Sequence, residues 1–344
     1  MTETPRRSID SSTEIPSKLP PSTEARETLR DQINRERRLM VNIAYLTTLQ
    51  QLGDTSDLDN LFDGDIHLGD EEPLTIYGLL DIFNGNHSFS HIKPPKKLTY
   101  ERNFALDSSY DIGYEALKSQ GGTPVSRLSS VSATTNFIPR MLGDTKLTFA
   151  YDPTGKMESA NFERPIQSFN EKIRLTRNAQ GLVEKIDIGS AAKVNNTITI
   201  EYENGKPFSM KQTKYGAFED ETFFIYDDSG NLAHIAYMPA ISAKAVRNLM
   251  RRGVKSIKGA RDAIMDVIMD QSKRAKGVDV IDIQHRDGIP TGTKSTLNSS
   301  QWFYVDSTSG YEWNGDRLKS ISLKMQNPPF QPDDKKKIIV DPEK

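Results

Sequence analysis

A hairpin-shaped phrase returns about every 25 residues through the middle of this chain, and it limits the fold more than any other feature. It reads Tyr151-Asp152-Pro153-Thr154-Gly155, Arg177-Asn178-Ala179-Gln180-Gly181, Tyr202-Glu203-Asn204-Gly205 and Tyr226-Asp227-Asp228-Ser229-Gly230, with a looser copy at Val305-Asp306-Ser307-Thr308-Ser309-Gly310. Alternating apolar residues precede the turns: Leu147, Phe149 and Tyr151, then Ile173 and Leu175, then Ile198, Ile200 and Tyr202. Alternate residues of a strand share a face, so each segment can bury one side. Asn204-Gly205 suits a two-residue primed turn because both residues tolerate positive φ. Asp-Pro-Thr-Gly and Asp-Asp-Ser-Gly suit a type I turn followed by a left-handed Gly. A lone hairpin is marginal in water, so neighbouring hairpins are expected to pair into a continuous antiparallel meander.

The series has one long gap, between Gly230 and Gly310. Residues 242–276 fill much of it with helical periodicity, an apolar stripe running through Val246, Met250, Ile257, Ile264 and Val267. Lys244, Arg247, Arg251, Lys255 and Lys258 form a second stripe and are the partner-binding candidates. Residues 244–276 hold ten Lys and Arg against three Asp, a balance suited to an unknown protein partner or an anionic surface. The segment contains no aromatic residue, which counts against membrane anchoring and base stacking. Nucleic acid is not an expected partner.

Upstream, a helix is expected from a cap at Ser22 or Thr23 to a stop at Gly53, its stripe formed by Leu29, Ile33, Met40, Ile43 and Leu46. Arg35-Glu36-Arg37-Arg38 reads as its solvated face. A short helix after Pro73 is expected to carry Leu79, Leu80, Ile82 and Phe83 and to end near Gly85. The fold class is α+β: a meander of hairpin repeats, an N-terminal helical region and an inserted basic helix, with the helices on one sheet face. The expected boundaries are a disordered tail at 1–21, a helical region with an acidic connector at 22–92, a sheet domain at 93–327 and a flexible tail at 328–344.

Tyr226-Asp227-Asp228-Ser229-Gly230-Asn231-Leu232 and Tyr151-Asp152-Pro153-Thr154-Gly155-Lys156-Met157 resemble the YD repeat of Rhs-type proteins. The resemblance covers about residues 146–240 and returns at 302–325. The second and third copies carry Arg177-Asn178 and Glu203-Asn204 where Tyr-Asp would stand. The resemblance implies a sheet built by the same local rules, and a place in toxin delivery or cell-surface recognition.

Composition narrows the chemistry. The 344 residues can bury a sizeable core. The net charge of −2 supplies no global field toward nucleic acid or membrane. Zero cysteines remove disulfides, thiol catalysis and cysteine-ligated metals. No run of apolar residues is long enough for a transmembrane helix. Arg6-Arg7 has no apolar stretch behind it, so an ordinary secretory signal is not expected and a cytoplasmic location is the default.

Candidate sites are few. Asp59, Asp63, Asp65 and Asp70 fall in a segment resembling a calcium loop, with Gly64 at its sixth position; Leu61 and the short Asp70 depart from that pattern. His87 and His91 stand four apart, but Asn84-Gly85-Asn86 and Pro94-Pro95 flank them, so loop histidines are expected. His285, between Asp282 and Asp287, is the catalytic candidate, since a carboxylate-flanked imidazole can act as a base; the segment itself reads as a solvated loop. There is no Walker loop, Gly-x-Ser-x-Gly or dinucleotide fingerprint, and no cofactor is expected. The sequence therefore points first to a non-enzymatic binding or structural module working through a sheet face, a sheet edge or the basic helix. The alternative is a hydrolase of carbohydrate or another polar substrate, using carboxylates or His285.

Overall fold

The structure, a computed structural model, describes residues 28–47, 71–102, 105–118, 124–135, 145–164, 169–190, 193–214, 216–239, 279–287, 289–297, 305–325 and 334–341. Helix α1, Leu29–Tyr45, opens on a capping box: the Thr28 hydroxyl accepts from the Asp31 amide, and the Asp31 carboxylate accepts from Thr28. It ends at Tyr45, short of the expected stop at Gly53, which lies outside the described residues together with Ser22 and Thr23. Helix α2, Glu71–Phe83, follows the expected pattern, and Gly85 just beyond it has φ 119°.

Every residue from Leu39 to Thr47 is buried, so this end of α1 is covered on all sides. A helix lying on an open sheet would keep a wet face. What encloses it is a cylinder. Short β1, Ser88–Phe89, pairs with β4. Sixteen longer strands then follow in chain order: β2 (Lys97–Arg102), β3 (Ala105–Lys118), β4 (Pro124–Thr135), β5 (Thr145–Tyr151), β6 (Met157–Arg164), β7 (Phe169–Arg177), β8 (Val183–Gly189), β9 (Val194–Glu203), β10 (Lys206–Lys214), β11 (Ala217–Tyr226), β12 (Leu232–Pro239), β13 (Asp279–Arg286), β14 (Ile289–Leu297), β15 (Val305–Asn314), β16 (Arg317–Met325) and β17 (Asp334–Val340). Each pairs antiparallel with the next, and β17 closes on β2 with Ile338 opposite Tyr100. The meander is a closed 16-stranded barrel.

Sixteen strands about 4.8 Å apart and tilted ~40° enclose a circle roughly 30 Å across. Wall side chains alone cannot fill that width, and a helix is about 10–12 Å wide. The helices touch the wall on many sides. The Tyr110 hydroxyl of β3 donates to the Thr47 carbonyl at 3.1 Å, and the Tyr45 and Tyr311 hydroxyls lie 3.0 Å apart. The Tyr77 ring packs 5.5 Å from Phe224. Thr75 of α2 donates to the Tyr45 carbonyl at 3.1 Å, tying the two helices together. The expected packing on one open sheet face is thus corrected to enclosure in the lumen.

The strand alternation has a matching consequence. Leu147, Phe149, Ile173, Ile198 and Ile321 point inward and are buried, while Lys146, Lys172, Thr199, Glu201 and Lys324 point outward and are exposed. Membrane-spanning barrels carry an apolar band outside and a polar lumen, so these strands have the opposite polarity. On β11–β13 the outward Phe223, Ile225, Ala236, Met238 and Val280 are also buried, beside the place where the chain leaves at Pro239 and returns at Asp279. The expected helical insert 242–276 lies outside the described residues.

Four further expectations change. The 328–344 tail instead contributes β17, because Ile338 and Val340 face inward while Lys335 points out; the lysine run hides this alternation. Val305 to Gly310 lie within continuous β15, and the turn comes later, at Gly315 with φ 58°. The charged segment around His285 is strand β13, not a solvated loop. Arg35 to Arg38 is not a uniformly solvated face either, since Glu36 is fully buried and Arg37 pairs with Asp316.

Candidate functional site

The repeat phrase acquires a physical meaning at one rim of the barrel. Its Asp or Asn staples the turn: Asp152 accepts from the Thr154 and Lys156 amides at 2.8 and 2.9 Å, Asn178 from Gln180 and Leu182 at 3.0 Å each, and Asp227 from Asn231 at 2.8 Å. Tyr202-Glu203-Asn204-Gly205 achieves the same reversal with a two-residue turn, both central φ positive at 51° and 77°.

The large first residue of the phrase reaches backward. The Tyr151 hydroxyl donates to the Leu128 carbonyl at 2.6 Å, Arg177 to Met157 at 2.7 Å, Tyr202 to Val183 at 2.7 Å and Trp313 to Pro290 at 3.1 Å. Each acceptor lies opposite the corresponding residue of the preceding hairpin: Leu128 faces Tyr114, Met157 faces Tyr151, Val183 faces Arg177 and Pro290 faces His285. One extra residue on the return strand, such as Glu158 or Lys319, bulges beside each position and sharpens the bend. Arg177 therefore does the work of the Tyr it replaces, and it also caps α2 through the Phe83 carbonyl at 2.8 Å.

Two members of this ring turn elsewhere. The Tyr226 ring turns toward Tyr77 of α2, and the His285 ring stays beside the Ile283 backbone of its own strand. Both line a cavity of about 550 Å³ between the helices and the β9–β15 side of the rim. Tyr45, Tyr77, Tyr311, Leu232 and Ile283 supply its apolar surface; Asp31, Arg38, Asp81 and Lys206 supply charge. Burial pushes the Tyr77 and Tyr226 hydroxyls well above their usual range. Burial lowers the His285 ring below its ordinary value, with Asp227 acting in the opposite direction, so the imidazole is neutral at pH 7. The side chains of the carboxylates are already engaged. Thr28 holds Asp31 below its usual value, while Asp81 accepts from Asn42 at 2.7 Å and Asn86 at 2.6 Å. Burial would raise Asp227, but the Asn231 amide and side chain outweigh it and hold the group low.

The sequence candidates are scattered. His285 reaches the cavity, whereas Asp282 faces outward in a 2.7 Å pair with His234, and Asp287 occupies a left-handed turn position with φ 54°. His87 packs on the Tyr151 ring and His91 pairs with Glu36, so they serve different contacts. Lys244, Arg247, Arg251, Lys255, Lys258, Asp59, Asp63, Asp65 and Asp70 lie outside the described residues. Sequence reasoning missed Arg38, Asp81 and Lys206. Besides His285, only Tyr226 carried a usable signal, its place in the phrase.

No protein-family model matches the chain, and no curated protein matches it in sequence. Among solved structures it is similar to TcdB2-TccC3 at 13% identity and TM-score 0.26, covering 67% of this chain and 11% of that one. It is also similar to a porin-like protein from Bacteroides vulgatus at 6% identity and TM-score 0.25, covering 73% of this chain and 99% of that one. Neither superposition reaches a score at which a shared fold follows. Among the described residues no helix is long and apolar enough to cross a membrane.

Proposed function

We propose that this protein is a non-enzymatic binding module, a barrel of YD-like hairpins that takes its ligand in the rim cavity. The observation that carries this reading is the departure of Tyr226 and His285 from the rim ladder at the one place where the cavity of about 550 Å³ opens beside them. That volume is in the range of small-ligand sites, and apolar walls with a few placed polar groups are their usual lining. Binding is favoured over glycoside hydrolysis because Asp31 and Asp227 are held below their usual values, whereas a general acid needs a raised one. The closed cylinder moves the binding surface away from a sheet edge, since each barrel strand is paired on both sides. A link to bacterial toxin or effector systems belongs to the same proposal and rests on the repeat's resemblance alone; toxin, immunity or secretion genes beside its own gene would support it, and a neighbourhood without them would remove it.

The test is protein-observed NMR with a small-molecule fragment set. Binders are expected to shift His285 and Tyr226 ring resonances, and Leu232→Trp, which fills the cavity, should abolish those shifts. Shifts confined to other surfaces, or none at all, would overturn the reading.

A further inference from the structure

Building on the reading of the rim cavity as a binding site, we infer that its ligand is an organic carboxylate anchored by Arg38. The polar side chains around the cavity differ in how far their needs are met. Lys206 donates to the Gly230 carbonyl at 2.6 Å and lies 5.0 Å over the Tyr226 ring. Asp31 is bound to Thr28, and Asp81 to two asparagine amides. Next to Arg38 in the chain, Arg37 is spent on Asn34 and Asp316. Arg38 is half-buried on the cavity wall, and among the described residues no carboxylate lies within ion-pair distance of it.

A half-buried guanidinium with donors to spare presents a planar fork, and that fork matches the two oxygens of a carboxylate. The cavity also selects the charge of its anion. Asp31 and Asp81 line it and Asp227 sits near His285, so a phosphate dianion would meet three carboxylates against two cations, Arg38 and Lys206, the second already turned to the Gly230 carbonyl. A monoanion meets the same guanidinium with half the repulsion from the carboxylates. The body attached to the carboxylate lies against Tyr77, Tyr226, Tyr311, Leu232 and Ile283, surfaces that reward an apolar or aromatic group. The ligand is thus a carboxylate on an apolar body, from a free aryl acid or from the C-terminus of a peptide.

Calorimetric titration with matched pairs tests this: 3-phenylpropionate against 3-phenylpropionamide, and N-acetyl-Leu-Phe against its C-terminal amide. At least one acid is expected to bind ten-fold or more tightly than its amide, and the pair that shows it identifies the source. Arg38→Gln should erase the acid–amide difference without moving the melting temperature, and Arg38→Lys should keep part of it. Equal binding of acid and amide in both pairs overturns the assignment. So does a preference that survives Arg38→Gln. If fragments shift the rim resonances while the pairs show no acid preference, the carboxylate assignment alone falls. If nothing shifts them, the binding reading falls with it.

Discussion

The buried Glu36 offers the sharpest test of how the helices are held in the barrel. Its carboxylate accepts from the Ser90, His91 and Ile92 amides at 2.8, 3.0 and 2.6 Å, from the Ser90 hydroxyl at 2.9 Å and from His91 Nδ1 at 3.0 Å. Burial alone would raise its pKa, but these donors together hold it below its usual value. Glu36→Gln keeps the shape and replaces one oxygen with a donor. Whichever oxygen is lost, at least one backbone amide, Ser90 or Ile92, then faces an NH₂ group. A hydrogen bond to a charged group contributes about 1.5–3 kcal/mol, and an orphaned buried donor costs about 1–3 kcal/mol. Relief of the buried charge offsets part of this, so a loss of about 3 kcal/mol is expected, a large share of the ~5–15 kcal/mol typical of a domain. Urea denaturation followed by circular dichroism should show a lower midpoint at unchanged slope, with faster hydrogen exchange at Ser90 and Ile92. The acid limb supplies a second readout. A carboxyl whose folded pKa lies below its unfolded value stabilises above the unfolded pKa, near 4.5, and loses that contribution as pH falls through the folded one. Glu36→Gln should lack that component. A loss under about 1 kcal/mol, with the acid limb unchanged, would refute the view that Glu36 pins the helices.

Arg177→Met should remove about 2–4 kcal/mol, because the Gly181, Phe83 and Met157 carbonyls all lose a charged donor; Arg177→Tyr should recover part of this by restoring the ladder bond, and melting temperatures that rank Met above Tyr would refute the ladder. Burial, with help from Arg127, lowers His87 to about 4, so the unfolded chain takes up its proton first and stability should fall as pH drops from about 6.5 to 4. The full shift corresponds to ~3 kcal/mol, or about 2 kcal/mol after allowing for partial exposure, and His87→Asn should flatten that window in a pH series of urea midpoints. Gly292→Ala would place its Cβ 2.4 Å from the Ser309 carbonyl oxygen, so β14 must part from β15; a loss above about 2 kcal/mol in thermal unfolding is expected, and a neutral result would mean the strands sit farther apart.

The hairpins from β5 to β12 were legible because turn chemistry is local: Asn204-Gly205 and the Asp-to-Gly phrases state their backbone needs in four or five residues. Arg177 looked like a flaw in the repeat only while the phrase was read as letters, since a guanidinium and a phenol can both reach the preceding hairpin's carbonyl. Closure was not legible. The pair that makes it, β2 with β17, joins segments outside the phrase, one of them masked by a lysine run. The lumenal place of α1 was hidden for the same reason: its stripe from Ile33 to Leu46 reads as one apolar side, and nothing local says that the other side will also meet protein. The cavity could not be seen because Arg38, Tyr77, Tyr226 and His285 come from four elements brought together only by the curvature of the wall.

The pairing of Leu98 with Val340 fixes an order of events as well as a shape. The helices precede the wall in the chain, yet they end up inside a ring that is complete only when its last strand zips to its first. Once that seam forms, neither helix has a lateral way in or out except by reopening a pair of strands. Laying the wall around a guest already in place avoids that reopening. A barrel fragment expressed without residues 28–86 should fail to recover its helices when they are added later in trans, while the same two pieces refolded together from denaturant should assemble.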